Sequence, residues 1–305
     1  MDEFDLIRDF FTGLGVTRED VLRGVGDDAA VVRPPCGRDL ALSTDSLVAG
    51  VHFPMNLPAA AIGHRALAVN LSDLAAMGAE PSWALLALTL SEVDREWIRL
   101  FASGYARLAR AHGVALVGGN LARGPLSITI TVAGFLPPGA ALTRDGACVG
   151  DDLYVTGVVG GGAAGLRAFR AGESVTDPMV RPYALPEPRL RAGEALVPYV
   201  HAAIDLSDGL VGDLAKLLEA SGGLGAEIDS RSLPLAPGAS LDDGLGPSDD
   251  YELLLAASAA EISALQPEVA LGCPLTRIGR VSAERGIRLG SQALMPGRFG
   301  YRHFS

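Results

Sequence analysis

Four short stretches carry the side chains that could do chemistry. GVGDDAAVV holds Asp27 and Asp28, STDSLVAGVHF holds Asp45 and His52, NLSDLAAMG holds Asp73, and IDLSDGL holds Asp205 and Asp208. Carboxylates are seldom set among Ala, Val, Leu and Gly unless they are paired, cap a helix or hold a cation. Ser43 and Thr44 add hydroxyl oxygens beside Asp45. Hard oxygen donors in this number suit Mg²⁺, which binds a few carboxylates together with water and substrate phosphates. Zinc would ask for His and Cys. The five His show no paired spacing, and Cys36, Cys148 and Cys273 are far apart in sequence, which points to free thiols rather than a zinc site or a disulfide framework.

Each of these readings has a plainer alternative. Ser207 or Asp208 could cap a helix while Asp205 ends a strand. A Gly-Asp-Asp turn is common on surfaces, and a lone His52 is often a structural hydrogen-bonder. Arg144, shortly before Gly150-Asp151, is the best cation for a phosphate, with a surface salt bridge as its alternative. Asp249-Asp250-Tyr251-Glu252 forms another acidic cluster ahead of an apolar run.

Other chemistries are excluded. The glycine-rich stretch Gly157–Gly165 has the composition of a phosphate cradle, yet it fits neither GxGxxG nor GxxxxGK[ST]. Lys216 is the lysine a motif search would notice, and it does not follow that stretch, so a P-loop ATPase is ruled out. The protein-kinase motifs are also missing. A net charge of −11 without a basic stripe argues against general nucleic-acid binding. The acidic start, MDEFDLIRDFF, lacks the n-region of a signal peptide, and no long apolar run appears, so a soluble cytoplasmic protein is expected.

These residues need elements to position them. With 305 residues, 49% of them hydrophobic, the chain can build two domains. Strands are expected at 29–32 and 39–45, the second ending in a polar tip at Asp45. Residues 59–79 repeat apolar side chains at helical spacing. Residues 81–90 read as a buried strand and 92–112 as a helix with Trp97, Phe101, Tyr105 and Leu108 on its apolar stripe. A strand at 114–117 runs into Gly118-Gly119-Asn120, and 126–135 alternates as a strand does. Pro137-Pro138-Gly139 marks the boundary. Beyond it come strands at 152–156, 202–206, 226–229, 251–257, 276–281 and 286–289, with helices after Gly162, from 188 to 199, after Ser207 and from 261 to 270. Pro182, Pro186 and Pro188 suggest an extended crossing. The Leu-Ser-Asp of 71–73 recurs at 206–208, a faint echo between two halves.

Taken in order and spacing, GVGDDAA, STDSLVAGVHF, ALAVNLSDLAAMGAEP, LTRDGACVGDDLYVTG, IDLSDGL and DDYELL resemble the thiamine-monophosphate kinase family. Its wider superfamily includes aminoimidazole ribonucleotide synthetase, selenophosphate synthetase and a hydrogenase maturation protein. The resemblance covers nearly the whole chain. It implies a two-domain α/β (α+β) fold of the aminoimidazole ribonucleotide synthetase type. A mixed-sheet N-terminal domain, 1–138, would bind ATP and Mg²⁺ and dimerise. An α/β C-terminal domain, 147–305, would complete the phosphate and substrate site. The implied reaction is direct transfer of the ATP γ-phosphoryl group to thiamine monophosphate, assisted by several Mg²⁺.

Carried over residue by residue, the resemblance makes Asp28, Ser43, Thr44, Asp45, Asp73, Asn120, Asp205 and Asp208 metal ligands. Gly119, Asn120, Arg144 and Ser207 would meet the nucleotide, with Tyr105 a weaker candidate. His52, Asp249 and Tyr301 would meet the substrate, and Asp28, Asp73, Arg144 and Asp208 would be the catalytic group. A homodimer is implied, with no nucleic-acid or membrane partner. Two departures stand out. The family has Gly-Gly-Asp-Thr where this chain has Gly118-Gly119-Asn120-Leu121, and Gly-Gly-Glu-Asp-Tyr where it has Pro247-Ser248-Asp249-Asp250-Tyr251. They leave open a related ATP-dependent enzyme with another acceptor, or a weakly catalytic nucleotide-binding regulator.

Overall fold

A computed structural model describes residues 3–265, 271–295 and 299–300. The chain divides into two compact units. The first takes Met1–Leu74 and Glu80–Gly139, the second Ala75–Ala79 and Ala140–Ser305.

The first unit opens with a short helix, α1 (Glu3–Leu6), continued by a π-helical turn over Ile7–Phe11, and a small antiparallel pair, β1 (Val21–Arg23) and β2 (Val31–Val32). Its main sheet has four strands: β3 (Asp39–Val48), β4 (Glu80–Leu90), β5 (Ala115–Arg123) and β6 (Ser127–Leu136). Their order is β3-β6-β4-β5, antiparallel except for the β4–β5 pair. That parallel pair requires a crossover, which α3 (Arg95–Ala111) supplies. Asp94 starts α3 by accepting from the Glu96 and Trp97 N–H groups, which satisfies donors that have no partner within the helix. Helix α2 (Ala59–Ala76) joins β3 to β4 and is buried on nearly every face. Apolar and small residues on all sides, among them Ala66, Leu67, Ala68 and Val69 in succession, therefore suit it better than a one-sided stripe would. Trp83, Ala115, Val117, Ala133 and Phe135 form a core cluster, in which the Trp83 and Phe135 rings meet edge to face.

In the second unit a seven-stranded mixed sheet carries the helices. Its strands are β7 (Asp152–Thr156), β8 (Ala202–Asp205), β9 (Gly225–Ile228), β10 (Leu253–Ala257), β11 (Leu275–Ser282), β12 (Gly286–Leu289) and β13 (Gln292–Leu294), in the order β13-β12-β9-β11-β7-β10-β8. The helices are α4 (Gly161–Arg170), α5 (Arg181–Ala184), α6 (Leu190–Leu196), α7 (Leu210–Ala220), α8 (Leu241–Leu245) and α9 (Ala259–Ala264). The core joins Leu153, Val155, Ile204 and Leu254 of the sheet to Leu210, Leu214 and Leu217 of α7. Strands β7, β8 and β10 are buried throughout, which is why they read as continuous apolar runs.

Three expectations need correction. Strand β3 does not end at Asp45. It continues to Val48, and Asp45 pairs with Ile130 in mid-strand, because Ser46, Leu47 and Val48 keep up the ladder with β6. Strand β5 likewise runs through Gly118-Gly119-Asn120 after a register shift opposite Ala84–Leu85. The proline-rich crossing is interrupted by α5, whose Pro182 lies in the first helical turn, where a missing N–H costs no bond.

Candidate active site

Strand and helix periodicities meet in the first unit. Ser43 and Asp45 lie two apart on β3 and share a face. Asn70 and Asp73 lie three apart on α2 and share another. The Ser43 hydroxyl donates to Asp73 Oδ2. The Asp45 N–H donates to Asn70 Oδ1 at 2.9 Å, while Asn70 Nδ2 holds the Ala66 carbonyl at 2.9 Å. A fully buried asparagine thus locks the strand position of Asp45 to the helix that carries Asp73. Thr44 does not belong with this group. Side chains alternate along a strand, and its hydroxyl bonds the Ile130 carbonyl and Thr131 of β6 instead. The Thr44 hydroxyl is therefore turned toward β6 and away from Ser43 and Asp73.

A second constellation of the same unit surrounds a cavity of about 670 Å³. The turn Gly26–Ala30, Leu85, Leu86 and Leu88 of β4, and residues 116–121 of β5 line it together with Phe4, Ile7 and Phe11. Its walls are mainly apolar, and Asp27, Asp28 and Asn120 supply its side-chain polar groups. The structure therefore brings together Asp28, Gly119 and Asn120. Gly119 is required there: its φ is +151°, and a Cβ would lie 1.8 Å from the Leu86 carbonyl oxygen of the neighbouring strand. His52 sits in the turn after β3, its Nδ1 accepting the Val48 N–H at 2.9 Å, so in the neutral ring Nε2 carries the proton. Tyr105 is corrected too. It is fully enclosed in α3, and its hydroxyl has no hydrogen-bond partner among the described residues, so burial raises its pKa further above the usual phenol value. It presents no surface to a nucleotide.

In the second unit Asp205 ends β8, buried, and the chain turns through Ser207, Asp208 and Gly209 into α7. Neither Ser207 nor Asp208 caps that helix; Gly209 holds the cap position, with no side-chain cap bond. The plainer reading of these residues as an N-cap is thereby removed. The turn is instead held by Asp213. Its Oδ2 accepts the N–H groups of Ser207, Asp208 and Gly209 at 3.0, 2.9 and 3.1 Å. Its other oxygen accepts Lys216 Nζ at 2.7 Å. Lys216 is the only lysine in the chain, and its ammonium also bonds Asp208. Burial alone would lower the Lys216 pKa. The Asp213 and Asp208 carboxylates outweigh burial and raise it, so the amine stays charged. Sequence reasoning missed Asp213 and, though it singled out Lys216, gave that lysine no role. The available signal was a carboxylate in the apolar stripe of Leu210, Val211, Leu214 and Leu217.

The glycine stretch is also resolved. Asp250 accepts the N–H groups of Gly160 and Gly162 at 2.7 and 2.9 Å, and Ser248 accepts that of Ala163 at 3.1 Å. The start of α4 is thus satisfied by the chain's own acidic cluster, and those N–H groups are not open to a phosphate. Burial pushes the Asp250 carboxyl up to about 6, against the pull of those N–H donors. Glu252 takes a bidentate bond from Arg189 at 2.6 and 2.7 Å and a third from Thr156. Asp249 is half-buried next to this brace, and Arg144 is exposed, its carbonyl accepting the Ser221 hydroxyl at 2.9 Å. Tyr301 lies outside the described residues.

Both units match known families. Residues 26–136 match the N-terminal domain of AIR synthase related proteins, and 149–291 match the C-terminal domain. The thiamine-monophosphate kinase of Salmonella typhimurium is 41% identical over 321 aligned positions, covering 99% of this chain and 98% of the relative. The chain belongs to the thiamine-monophosphate kinase family. A crystal structure of such a kinase from Stenotrophomonas maltophilia is 39% identical, superposes with a TM-score of 0.88 and covers 96% of this chain and 98% of that one. A further structure, AaThiL complexed with AMPPCP and TMP, is 30% identical with a TM-score of 0.80, covering 99% of this chain and 97% of its own. The two-domain fold is that of the family.

Proposed function

We infer that the chain transfers the γ-phosphoryl group of ATP to the phosphate of thiamine monophosphate, giving thiamine diphosphate and ADP. Membership of the kinase family across 99% of the chain carries this conclusion. The attacking group is a substrate phosphate oxygen that is already largely ionised, so no strong protein base is needed. Phosphoryl transfer depends chiefly on positioning and charge neutralisation.

The donor chemistry fits Mg²⁺. Carboxylates and a hydroxyl supply hard oxygens, and the Lys216 ammonium beside Asp208 stands where a cation is welcome. Asp28, Ser43, Asp45, Asp73, Asp205 and Asp208 would hold the ions, with Asn120 as a neutral oxygen donor. Bound Mg²⁺ would offset repulsion between the two phosphate groups and stabilise the charge that develops on the equatorial oxygens. Gly119, Arg144 and Ser207 are assigned to the nucleotide. His52, Asp249 and Tyr301 are assigned to thiamine monophosphate, His52 as an Nε2–H donor. Asp28, Asp73, Arg144 and Asp208 would lie nearest the transferred group. Thr44 and Tyr105 are left out, for the reasons of orientation and burial given above. The N-terminal residues 1–138 would form the ATP-binding and dimerisation domain, and 147–305 the domain that completes the substrate site. A cytoplasmic homodimer belongs to the same reading; among the described residues no helix is long and apolar enough to cross a membrane.

The test compares acceptors. With ATP and Mg²⁺, ADP should form with thiamine monophosphate and not with thiamine, whose hydroxyl would require a base. Equal turnover with thiamine, or none with the monophosphate from folded protein that binds ATP, would overturn the assignment.

A further inference from the structure

Cysteine and histidine spacing argues against zinc, yet folding brings one of each together. Cys148, Asp151 and His201 offer ligand atoms that all lie within 4.8 Å of one another. All three belong to the second unit. His201 Nδ1 is 2.9 Å from Asp151 Oδ2, and its Nε2 is 3.1 Å from Glu261 Oε2. Asp151 is buried, whereas Cys148 is exposed and the side chains of His201 and Glu261 keep 34% and 42% of their exposure. A cation from solvent can therefore reach the cluster.

Two features make this a built arrangement. The first is mutual support between ligands. The Cys148 N–H donates to Asp151 Oδ2 at 2.8 Å, and the Asp151 N–H returns to the Cys148 carbonyl at 3.1 Å. That turn fixes two donors, while the His201 N–H is anchored on the Ala256 carbonyl at 2.9 Å. The second is charge. Carboxylates face both ring nitrogens, but a neutral imidazole donates from one only. The site calls for a positive charge, either a second proton on His201 or a metal ion.

We propose that Cys148, Asp151 and His201, through Nδ1, form a Zn²⁺ site completed by water, with Glu261 accepting the hydrogen bond of the other ring nitrogen, Nε2, from outside the coordination shell. Thiolate, imidazole and carboxylate are the donors zinc takes in fourfold coordination, whereas Mg²⁺ prefers oxygen alone. Bond lengths of about 2.0–2.3 Å put tetrahedral ligands about 3.5 Å apart. Asp151 and His201 would open slightly, and the exposed thiol would close by about an ångström. The site lies at the start of β8, while Asp205 ends that strand four residues later, about 13 Å away at strand rise. It is therefore separate from the acidic turn, and its role is to tie the entries of β7 and β8 to each other.

The test uses the full chain stripped of metal, then given Zn²⁺ in the presence of saturating Mg²⁺, which fills the oxygen sites. Equilibrium dialysis should show one Zn²⁺ retained per chain. Cys148→Ser and His201→Gln should each weaken it at least tenfold, and Co²⁺ should give a thiolate charge-transfer band that Cys148→Ser abolishes. Cys148 is exposed, so that variant keeps the fold, and circular dichroism verifies this. Phosphoryl transfer with Mg²⁺ should be unaffected by Cys148→Ser. Absence of Zn²⁺ retention in the wild type, or retention indifferent to Cys148→Ser without a cobalt charge-transfer band, would overturn the proposal.

Discussion

The same tripeptide is used in two different ways. Leu71-Ser72-Asp73 lies wholly inside α2, where Leu71 and Ser72 are fully buried. Leu206-Ser207-Asp208 leaves the end of β8 and turns into α7. The neighbours decide between the two. Leu74 and two alanines carry the helix on after Asp73, whereas Gly209 follows Asp208 with φ +109° and breaks the regular backbone. The sequence echo between the halves is therefore not an equivalence of local structure. The supports differ as well. Asp73 is aimed by a helix face and steadied by Ser43, while Asp208 rides on a turn whose three N–H groups converge on one carboxylate. The first support is distributed over a rigid element, and the second is concentrated in Asp213.

The largest effect should be common to both regions. Asp73→Asn and Asp208→Asn remove negative charge wherever the acids hold Mg²⁺. Each is expected to lower kcat/KM by more than about 100-fold in steady-state assays of thiamine diphosphate formation. A variant at full activity would strike its region from the site. The next effect separates the regions. Asp213→Asn leaves Lys216 and three N–H groups poorly matched and should cost about 3 kcal/mol in urea unfolding. Asn70→Ala, the corresponding change in the first region, should cost about 1–2 kcal/mol. Equal losses would erase the distinction between concentrated and distributed support.

A smaller effect concerns Lys216. Its ammonium competes for Asp208 with any cation that binds there. An exposed ion pair is worth up to about 1 kcal/mol, so Lys216→Met should lower the Mg²⁺ concentration for half-maximal activity by about fivefold. An unchanged or higher requirement would mean that Lys216 supports the site rather than occupying it. The smallest effect comes from an acid outside both regions. Arg167 beside Asp243 lowers its carboxyl from the usual 3.8 to about 2, burial opposing and Ser240 assisting. Its stabilisation is complete above the usual value and is lost as pH falls toward the lowered one. Acid unfolding of Asp243→Asn should lack about 1–2 kcal/mol of that dependence, Arg167 being solvent-screened, with catalysis at neutral pH unchanged.

Much of the molecule could be read before folding. The apolar periodicities locate α2, α3 and the buried strands of the second unit, and the acidic stretches mark the candidate ligands. What escaped depends on partners distant in sequence. Thr44 reads as a companion of Ser43 until strand alternation turns it toward β6. Asp250 reads as one acid among three, and only packing shows it capping α4 across 88 residues. Asp213 looks like a polar interruption of α7, although its position among leucines signals an internal partner. Cys148 and His201 are 53 positions apart in sequence, so no spacing rule finds them.

The most direct measurement is thiamine diphosphate formation by the purified chain with ATP and thiamine monophosphate as Mg²⁺ is varied, alongside Asn120→Asp. The account predicts product that rises with Mg²⁺ in the wild type and reaches half-maximum at lower Mg²⁺ in the variant, because a carboxylate there restores a charged ligand. Failure of both proteins to form product, with folding and ATP binding demonstrated, would contradict the kinase reading. Product that does not depend on Mg²⁺ would contradict the role given to the acidic centres.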